Sequence, residues 1–421
     1  MTDTQDATDT RNTATGASES QAMPAALWAL AIAAFGIGTT EFVIAGLLPG
    51  IAAEFGISIP MAGNMATSYA LGVFFGAPIT IILGARLPQK TMLAWLLVLF
   101  IVGSIVTATA PTYTIALVGR VITSLTHGAF FGIGSIMAAD LVAPGRRTSA
   151  IAFMFTGLTL ATLIGAPVGT WLAHAVSWRA TFLAIAVIGL VAILGVLLLV
   201  PRAEPREPPH LRRELAAFTD IRVLLAMGIT ILGPAAFFTS ITYIAPMMTR
   251  VAGYGEGAVT WLLAVFGLGL FVGNIFGGRL ADRALMPLLY VTLAAQAVVL
   301  FAFYFVADSQ LAAVFCIFLM SAFGFATVAP IQKLVTDNAR AAGAPNLASA
   351  VNIGLFNLGN AIGAWAGGTV IALGFGYAAP NWAGAVLSVG ALLLALMSGW
   401  LGRRDARLLA AAGMPAPVAR P

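Results

Sequence analysis

The chain has 421 residues, of which 60% are hydrophobic and 9% are charged. An average soluble domain contains roughly 25% charged residues, so this composition excludes an ordinary globular enzyme as the default interpretation. The formal net charge of +5 becomes informative only once its distribution along the chain is known.

Residues 1–25 are polar and contain one arginine and four acids. A secretory signal has a basic start that is followed directly by an apolar core, and this segment has neither. We therefore expect a disordered cytoplasmic tail here rather than a signal peptide.

Twelve apolar runs follow, each close to the ~20 residues that a helix needs to cross a bilayer core. We number these predicted spans one to twelve in chain order: 26–48, 60–83, 91–110, 113–139, 148–172, 179–201, 222–248, 258–279, 286–306, 310–332, 346–372 and 382–402. The sequence thus predicts an all-α polytopic membrane protein.

The polar segment 202–221 divides the spans into two sets of six, 26–201 and 222–402, and a second polar tail covers 403–421. The two sets resemble each other, because GAPITIILGARL in span two aligns with GLFVGNIFGGRL in span eight, and IGAPVG in span five with IGAWAG in span eleven. A duplicated six-plus-six arrangement is typical of transporters. The alternative is that both sets simply use glycine where membrane helices pack closely.

Lysine and arginine placement predicts the orientation. Of the 21 Lys and Arg residues, Arg179 and Arg250 lie in outer loops and Arg120 lies inside a span, if the N-terminus is cytoplasmic. The other 18 then fall on the cytoplasmic side. Both termini are therefore predicted to be cytoplasmic, and the positive charge indicates a lipid bilayer rather than a nucleic-acid partner.

Three ionisable residues lie well inside spans: Glu41, Arg120 and His127. Glu41 and Arg120 both lie seven residues from the outer end of their spans, roughly 10 Å deep at 1.5 Å per residue. They can meet if spans one and four are neighbours, and His127 shares a helix face with Arg120. Ionisable residues in membranes mark proton or substrate pathways, but a buried structural ion pair is the alternative.

Uncharged polar residues inside spans are candidates for a substrate cavity, although each could instead bond a neighbouring helix. They are Asn64, Tyr69, Tyr243, Asn274, Gln332, Asn352, Asn357 and Asn360.

Span five carries Gly157, Gly165 and Gly169 together with Pro167, and span eleven carries a similar glycine series. Small residues permit close helix approach and proline bends a helix. This pattern favours a gating interface between the halves or, equally, static close packing.

Phosphate-binding loops and metal-ligand spacings are missing from the sequence. We expect no cofactor, no metal and no enzyme activity. The single Cys316 excludes a disulfide framework.

Four segments resemble the major facilitator superfamily: GTTEFVIAGLLPGIAAEFGIS (38–58), RVITSLTHGAFFGIGSIMAADL (120–141), GLTLATLIGAPVGTWL (157–172) and SWRATF (177–182). More narrowly, they are similar to the twelve-helix bacterial drug:proton antiporters of the arabinose-efflux-permease and sugar-efflux branch. In the superfamily the loop after span two usually contains an acid, whereas here it reads GARLPQK. The related loop GGRLADR keeps Asp282 beside Arg279 and Arg283, so a cytoplasmic charge lock is expected there.

The resemblance implies a monomeric, multi-pass protein of the bacterial inner membrane. It implies proton-driven efflux of a small organic molecule, such as a sugar, nucleoside or phenicol-type drug, by alternating access. Glu41 would accept the proton, and Arg120 would tune the proton affinity of Glu41. The alternatives are proton symport or facilitated uptake and, in other classes, an intramembrane enzyme or a non-transporting sensor.

Overall fold

The computed structural model describes residues 23–84, 87–202, 220–281, 283–341 and 345–411. The helices of this part of the chain are α1 Ala25–Phe42, α2 Ile44–Phe55, α3 Ile59–Gly84, α4 Gln89–Thr109, α5 Tyr113–Asp140, α6 Arg147–Leu160, α7 Ala166–Ala175, α8 Trp178–Leu199, α9 Ile221–Ile241, α10 Ile244–Arg250, α11 Ala258–Ala281, α12 Leu285–Val306, α13 Gln310–Ala326, α14 Val328–Ala341, α15 Pro345–Ala372 and α16 Ala379–Ala411. A five-residue π-helix, Ala161–Gly165, joins α6 to α7.

Helices occupy all twelve predicted spans. Within the described ranges, ten helical stretches are long and apolar enough to cross a membrane. The other two predicted spans are α3 and α15, whose 26 and 28 residues also exceed the ~20 residues required. The predicted polytopic all-α fold is confirmed. Residues 203–219, most of the predicted linker, lie outside the described residues.

Helix α16 continues to Ala411, past the predicted end of the last span at residue 402. The residues beyond 402 include alanine, leucine and arginine, which are all strong helix formers. Apolar length predicts where a span leaves the membrane, whereas helix propensity decides how far the helix continues into water.

The two sets of six spans pack in the same pattern. In the first half, α1 lies against α6 and α8, and α5 lies against α3 and α4. In the second half, α9 lies against α15 and α16, and α13 lies against α11 and α12. Each contact in one half has its counterpart in the other, as two pseudo-symmetric halves require.

The halves meet along a seam formed by three contacts. Helix α3 packs against α15, the π-helix and α7 pack against α11, and α2 packs against α10. Under the predicted topology, the contact between α2 and α10 lies at the outer end of the seam.

Prolines explain the interruptions within spans one, five and seven. Proline has no N–H, and its ring clashes with the carbonyl four residues earlier. Pro246 lies four residues after Thr242, where span seven is interrupted, and Pro167 lies two residues after the last residue of the π-helix. Span one is divided at Val43, two residues before Ala45, whose carbonyl Pro49 leaves without its helical donor.

The glycines of span five face span one of the same half. A Cβ atom on Gly157 would clash with the Ala31 carbonyl oxygen, and one on Gly169 would lie 2.7 Å from Val43 Cγ2. In span eleven, a Cβ atom on Gly359 would likewise clash with the Ile231 carbonyl oxygen of span seven. In the described structure these glycines therefore pack inside each half, which is the arrangement that the close-packing alternative requires.

Gly267 of α11, which sequence reasoning did not single out, does lie at the seam. A Cβ atom there would lie 2.6 Å from the Thr162 carbonyl oxygen and 2.8 Å from Leu163 Cα. Because Thr162 and Leu163 belong to the π-helix of the opposite half, this is where backbones of the two halves approach each other.

Candidate functional site

Glu41 lies buried near the end of α1, with 9% of its surface exposed. Its Oε1 atom accepts a hydrogen bond of 3.3 Å from Asn360 Nδ2 of α15. Its Oε2 atom lies 4.0 Å from His127 Nδ1 of α5. The carboxylate therefore contacts both halves at the seam.

His127 also contacts Tyr69 of α3. The distance from the Tyr69 hydroxyl to His127 Nδ1 is 3.0 Å. When His127 is neutral with its proton on Nε2, the hydroxyl donates to Nδ1. When His127 is protonated, Nδ1 is a donor and faces the Glu41 carboxylate. Nδ1 of the imidazole therefore has a neighbour of suitable polarity in either form.

Arg120 is fully buried and is held by backbone atoms. Its Nη1 atom donates to the Thr40 carbonyl at 2.8 Å and to Thr40 Oγ1 at 2.9 Å, and its Nε atom donates to the Met65 carbonyl at 3.3 Å. The guanidinium also lies 4.2 Å from the centroid of the Tyr69 ring, a cation–π distance. The arginine therefore ties α5 to α1 and α3.

Arg120 and Glu41 lie close together but do not form the direct ion pair that their depths allow. In the described part of the chain, no nitrogen of Arg120 lies within 4.0 Å of the carboxylate. Thr40 and Glu41 are consecutive on a helix, so their side chains point about 100° apart. Arg120 approaches from the side of Thr40, whereas Glu41 reaches towards Asn360.

We call Glu41, Tyr69, Arg120, His127 and Asn360 the Glu41 cluster. The sequence analysis identified all five residues. It did not identify Thr40 or Met65, since the backbone carbonyls that hold Arg120 carry no signal in the sequence.

An aromatic group beside the cluster was also missed. The Phe42 ring lies 6.0 Å from the Phe238 ring and 6.2 Å from the Phe266 ring, centroid to centroid. Phe42 belongs to the first half and the other two belong to the second. Three rings therefore cover the seam directly beside the carboxylate.

Two residues of the cluster, and Asn357 one turn from Asn360 on α15, carry polar atoms without partners. Among the described residues, Arg120 Nη2, Asn357 Oδ1 and Asn360 Oδ1 are buried and have no hydrogen-bond partner. Buried polar atoms in proteins are nearly always paired. These three atoms, from both halves, are suited to bind a polar molecule.

The remaining amides predicted for the cavity lie elsewhere. Asn352 accepts from Thr230 Oγ1 at 2.5 Å and donates to Gln332 at 2.6 Å, so these residues bond one another within the second half. Asn64 and Asn274 are exposed.

Tyr243 also lies apart from the cluster. Its hydroxyl donates to the Ala364 carbonyl at 2.9 Å, and its ring lies against Gly63 of the other half. It is therefore a packing residue of the outer seam.

The predicted cytoplasmic lock is only partly within the described residues. Arg279 and Arg283 are exposed at the end of α11 and just after it. Asp282 lies outside the described residues.

A cavity of about 620 Å³ lies at the outer end of the seam. Its lining includes Pro49 and Pro60 of the first half and Arg250 and Tyr377 of the second. None of the residues of the Glu41 cluster lines this cavity. This cavity therefore does not extend to the Glu41 carboxylate.

Comparisons with known proteins agree with this architecture. The family model described as Major Facilitator Superfamily matches residues 30–368. The inner membrane transport protein YdhP of Escherichia coli K12 is 42% identical over 372 residues, which cover 88% of this chain and 95% of that protein. The putative transporter AraJ of Escherichia coli K12 is 34% identical, with 91% and 97% covered. The chloramphenicol resistance protein of Streptomyces lividans is 34% identical, with 89% and 96% covered.

A solved structure has a similar fold. The D-xylose-proton symporter superimposes with a TM-score of 0.70 at 15% identity, covering 88% of this chain and 96% of that one. The expected superfamily is confirmed: the chain belongs to the Major Facilitator Superfamily and is a multi-pass membrane transporter rather than an enzyme.

Proposed function

We propose that this transporter exports a small organic molecule in exchange for protons, with Glu41 as the proton carrier. The observation that carries the proposal is the position of the Glu41 carboxylate, which is buried at the seam and contacts both halves. A carboxylate in a span is costly and is functional by default. At the seam, its surroundings change whenever the halves move.

The proposed cycle uses alternating access. When the outer side is open, Glu41 takes a proton from outside. When the inner side opens, it releases the proton to the cytoplasm and substrate binds between the halves. His127 and Tyr69 lie next to the carboxylate and relay the proton, while the nearby charge of Arg120 favours its release.

The efflux direction is supported by the name of one relative, the chloramphenicol resistance protein, and by the resemblance to efflux permeases. We therefore include phenicol-type drugs among the proposed substrates, together with sugars and nucleosides. Each of these molecules has hydroxyl groups, which fit the unpartnered amide oxygens of Asn357 and Asn360.

The proposal places the monomer in the bacterial inner membrane with both termini cytoplasmic. The inner-membrane relative YdhP and the distribution of Lys and Arg support this. Cysteine labelling at the C-terminus of intact cells tests the orientation, and reactivity from outside would contradict it.

The central test uses inverted membrane vesicles with an imposed pH gradient and a panel of phenicols, nucleosides and sugars. We expect uphill accumulation by the wild-type protein and none by Glu41→Gln, which keeps the shape but removes the titration. Downhill exchange survives in the variant if the substrate site is intact.

Glu54→Gln is the matched control. Glu54 is a second carboxylate, near the end of α2, but it is exposed at 41% of its surface and pairs with Arg179 at 2.8 Å. We expect normal accumulation in this control. A fully coupled Glu41→Gln protein would refute the role of Glu41, and net uptake driven by inward proton flow would favour symport instead.

A further inference from the structure

The hydrogen bond between Asn360 and Glu41 joins the two halves through a titratable group. Asn360 belongs to α15 of the second half and Glu41 to α1 of the first, and both residues are buried. The inference below rests on the proposed function, because it concerns how protonation of Glu41 changes the conformation.

An asparagine side chain can bind both forms of a carboxyl group. Its amide nitrogen donates to an ionised carboxylate, and its amide oxygen accepts from a protonated carboxyl. Asn360 uses its nitrogen towards Glu41, and its oxygen has no partner among the described residues. Hydrogen bonds to an ionised acceptor are roughly twice as strong as those between neutral groups. The link between the halves is therefore strong when Glu41 is ionised and weaker when it is protonated.

The bond lies beneath the outer contacts of the seam. Phe42, the residue after Glu41, touches Phe238 and Phe266 of the second half, and α2 contacts α10 beyond it. Opening the outer side requires these contacts to separate, and the bond to Asn360 must break with them.

We propose that Asn360 senses the protonation state of Glu41 across the seam and that its bond to the ionised carboxylate holds the outer ends of the halves together. In the cycle proposed above, bound substrate competes for the Asn360 amide and allows the outer side to open while Glu41 is ionised. A proton taken up from outside then keeps the bond weak while substrate leaves, whereas an empty, ionised transporter stays closed to the outside.

The other groups around Glu41 do not provide such a link. The charged or titratable groups that face it are His127 and Arg120 of α5 and Tyr69 of α3, and all three belong to the first half. From the second half, apolar rings lie against the neighbouring Phe42. Asn360 is thus the described polar side chain through which the second half contacts the carboxylate.

The experiment measures the distance between the outer ends of the halves as a function of pH. Spin labels at Pro111→Cys and Asp308→Cys, on a Cys316→Ser background, report this distance in reconstituted full-length protein. Both positions are exposed and lie in the loops after α4 and α12. Between pH 8 and pH 5.5 we expect the ratio of outer-open to outer-closed wild-type protein to rise about tenfold, the factor that separates a charged from a neutral hydrogen bond.

In Asn360→Leu we expect this ratio to change less than about twofold, because no amide remains to distinguish the two forms of Glu41. Asn360→Gln, which keeps the amide, should restore part of the response. Asn360→Ser, whose side chain is too short to reach, provides the same test if leucine does not fold.

Gln296→Leu is the matched control. Gln296 is also a buried amide of the second half, but it donates to the Gly233 carbonyl of the same half at 3.3 Å. This variant should respond to pH as the wild-type protein does.

A full response in Asn360→Leu and Asn360→Ser, together with no response in Glu41→Gln, would overturn the role of Asn360 and leave the proposed function standing. An unchanged response and intact coupling in Glu41→Gln would refute both. The absence of any pH response in the wild-type protein would also overturn the inference, whereas coupled transport in vesicles would still support the proposed function.

Discussion

The two halves share one pattern of helix packing but differ in the chemistry of their interiors. The first half buries Glu41, Arg120 and His127, whereas every described polar side chain buried in the second half is an amide or a hydroxyl. Ionisable groups in a membrane are costly. A single titratable cluster beside the seam is enough for the proposed proton coupling when the other half can contact it. The two halves thus share a scaffold, while among the described residues the buried charges lie in the first half and only neutral polar groups are buried in the second.

The largest expected effect comes from removing the buried cation. Arg120→Leu leaves the Thr40 and Met65 carbonyls without their donor and removes the positive charge near Glu41. We expect the transport rate to fall at least about 100-fold, which corresponds to about 2.7 kcal/mol. Initial rates per unit of folded protein in proteoliposomes measure this loss.

Gln296→Leu is the control from the second half. Gln296 is fully buried and donates to the Gly233 carbonyl at 3.3 Å, but it carries no charge. Its removal should change the rate no more than about threefold, the effect of one neutral hydrogen bond. Equal losses in the two variants would show that the halves do not differ in the way described above.

A pair of glycine substitutions separates packing inside a half from packing across the seam. Gly157→Ala forces a methyl group against the backbone of α1 in the same half. We therefore expect the free energy of unfolding to fall by about 1–3 kcal/mol. Gly267→Ala acts across the seam and should instead shift the conformational equilibrium by a similar energy, because the halves can separate. Thermal unfolding and the cross-seam label distance are the two measurements, and the same response in both variants would contradict the assignment.

Two tyrosines offer a finer comparison. Tyr69→Phe removes the hydroxyl beside His127 Nδ1 and should alter the pH profile of transport. Tyr243→Phe removes the bond to the Ala364 carbonyl and should cost about 1 kcal/mol of stability with an unchanged pH profile. A pH profile that depends on Tyr243 would place proton transfer in the second half as well.

The smallest effect is expected at the outer surface. The ion pair between Glu54 and Arg179 is largely exposed, and such pairs contribute about 0.2–1 kcal/mol. Glu54→Gln should therefore lower the free energy of unfolding by less than 1 kcal/mol, with the difference reduced further in high salt. A larger loss, measured by thermal unfolding, would mean that this pair organises the ends of spans one and six.

Most of the fold was predictable because each span needs a long apolar run, which is visible in any sequence. The ionisable residues of the site were also visible in the sequence, because charges inside such apolar runs are few. They are Glu41, Arg120 and His127. Asn360 was identified only as one of eight neutral polar residues. An amide can bond its own helix, as Asn357 does, or reach across the seam, and sequence spacing does not distinguish the two.

The lack of a direct ion pair between Glu41 and Arg120 in the described residues was not predictable from the sequence. Depth places both residues at the same level, but the rotation of α1 decides that Thr40 rather than Glu41 faces the guanidinium. For a similar reason, the sequence left open whether the glycines of span five pack within one half or between the halves. Close packing requires small residues whether the partner helix lies in the same half or in the other.

The setting of Arg120 has a consequence for how the protein is made. A lone arginine at depth opposes insertion of its helix by about 2.5–3.5 kcal/mol, and this one is accommodated by the carbonyls of Thr40 and Met65. Both carbonyls belong to helices that the ribosome produces before α5. The order of synthesis therefore supplies the acceptors before the cation arrives, and a chain deprived of its first span would present the insertion machinery with an arginine that has lost two of its three acceptors.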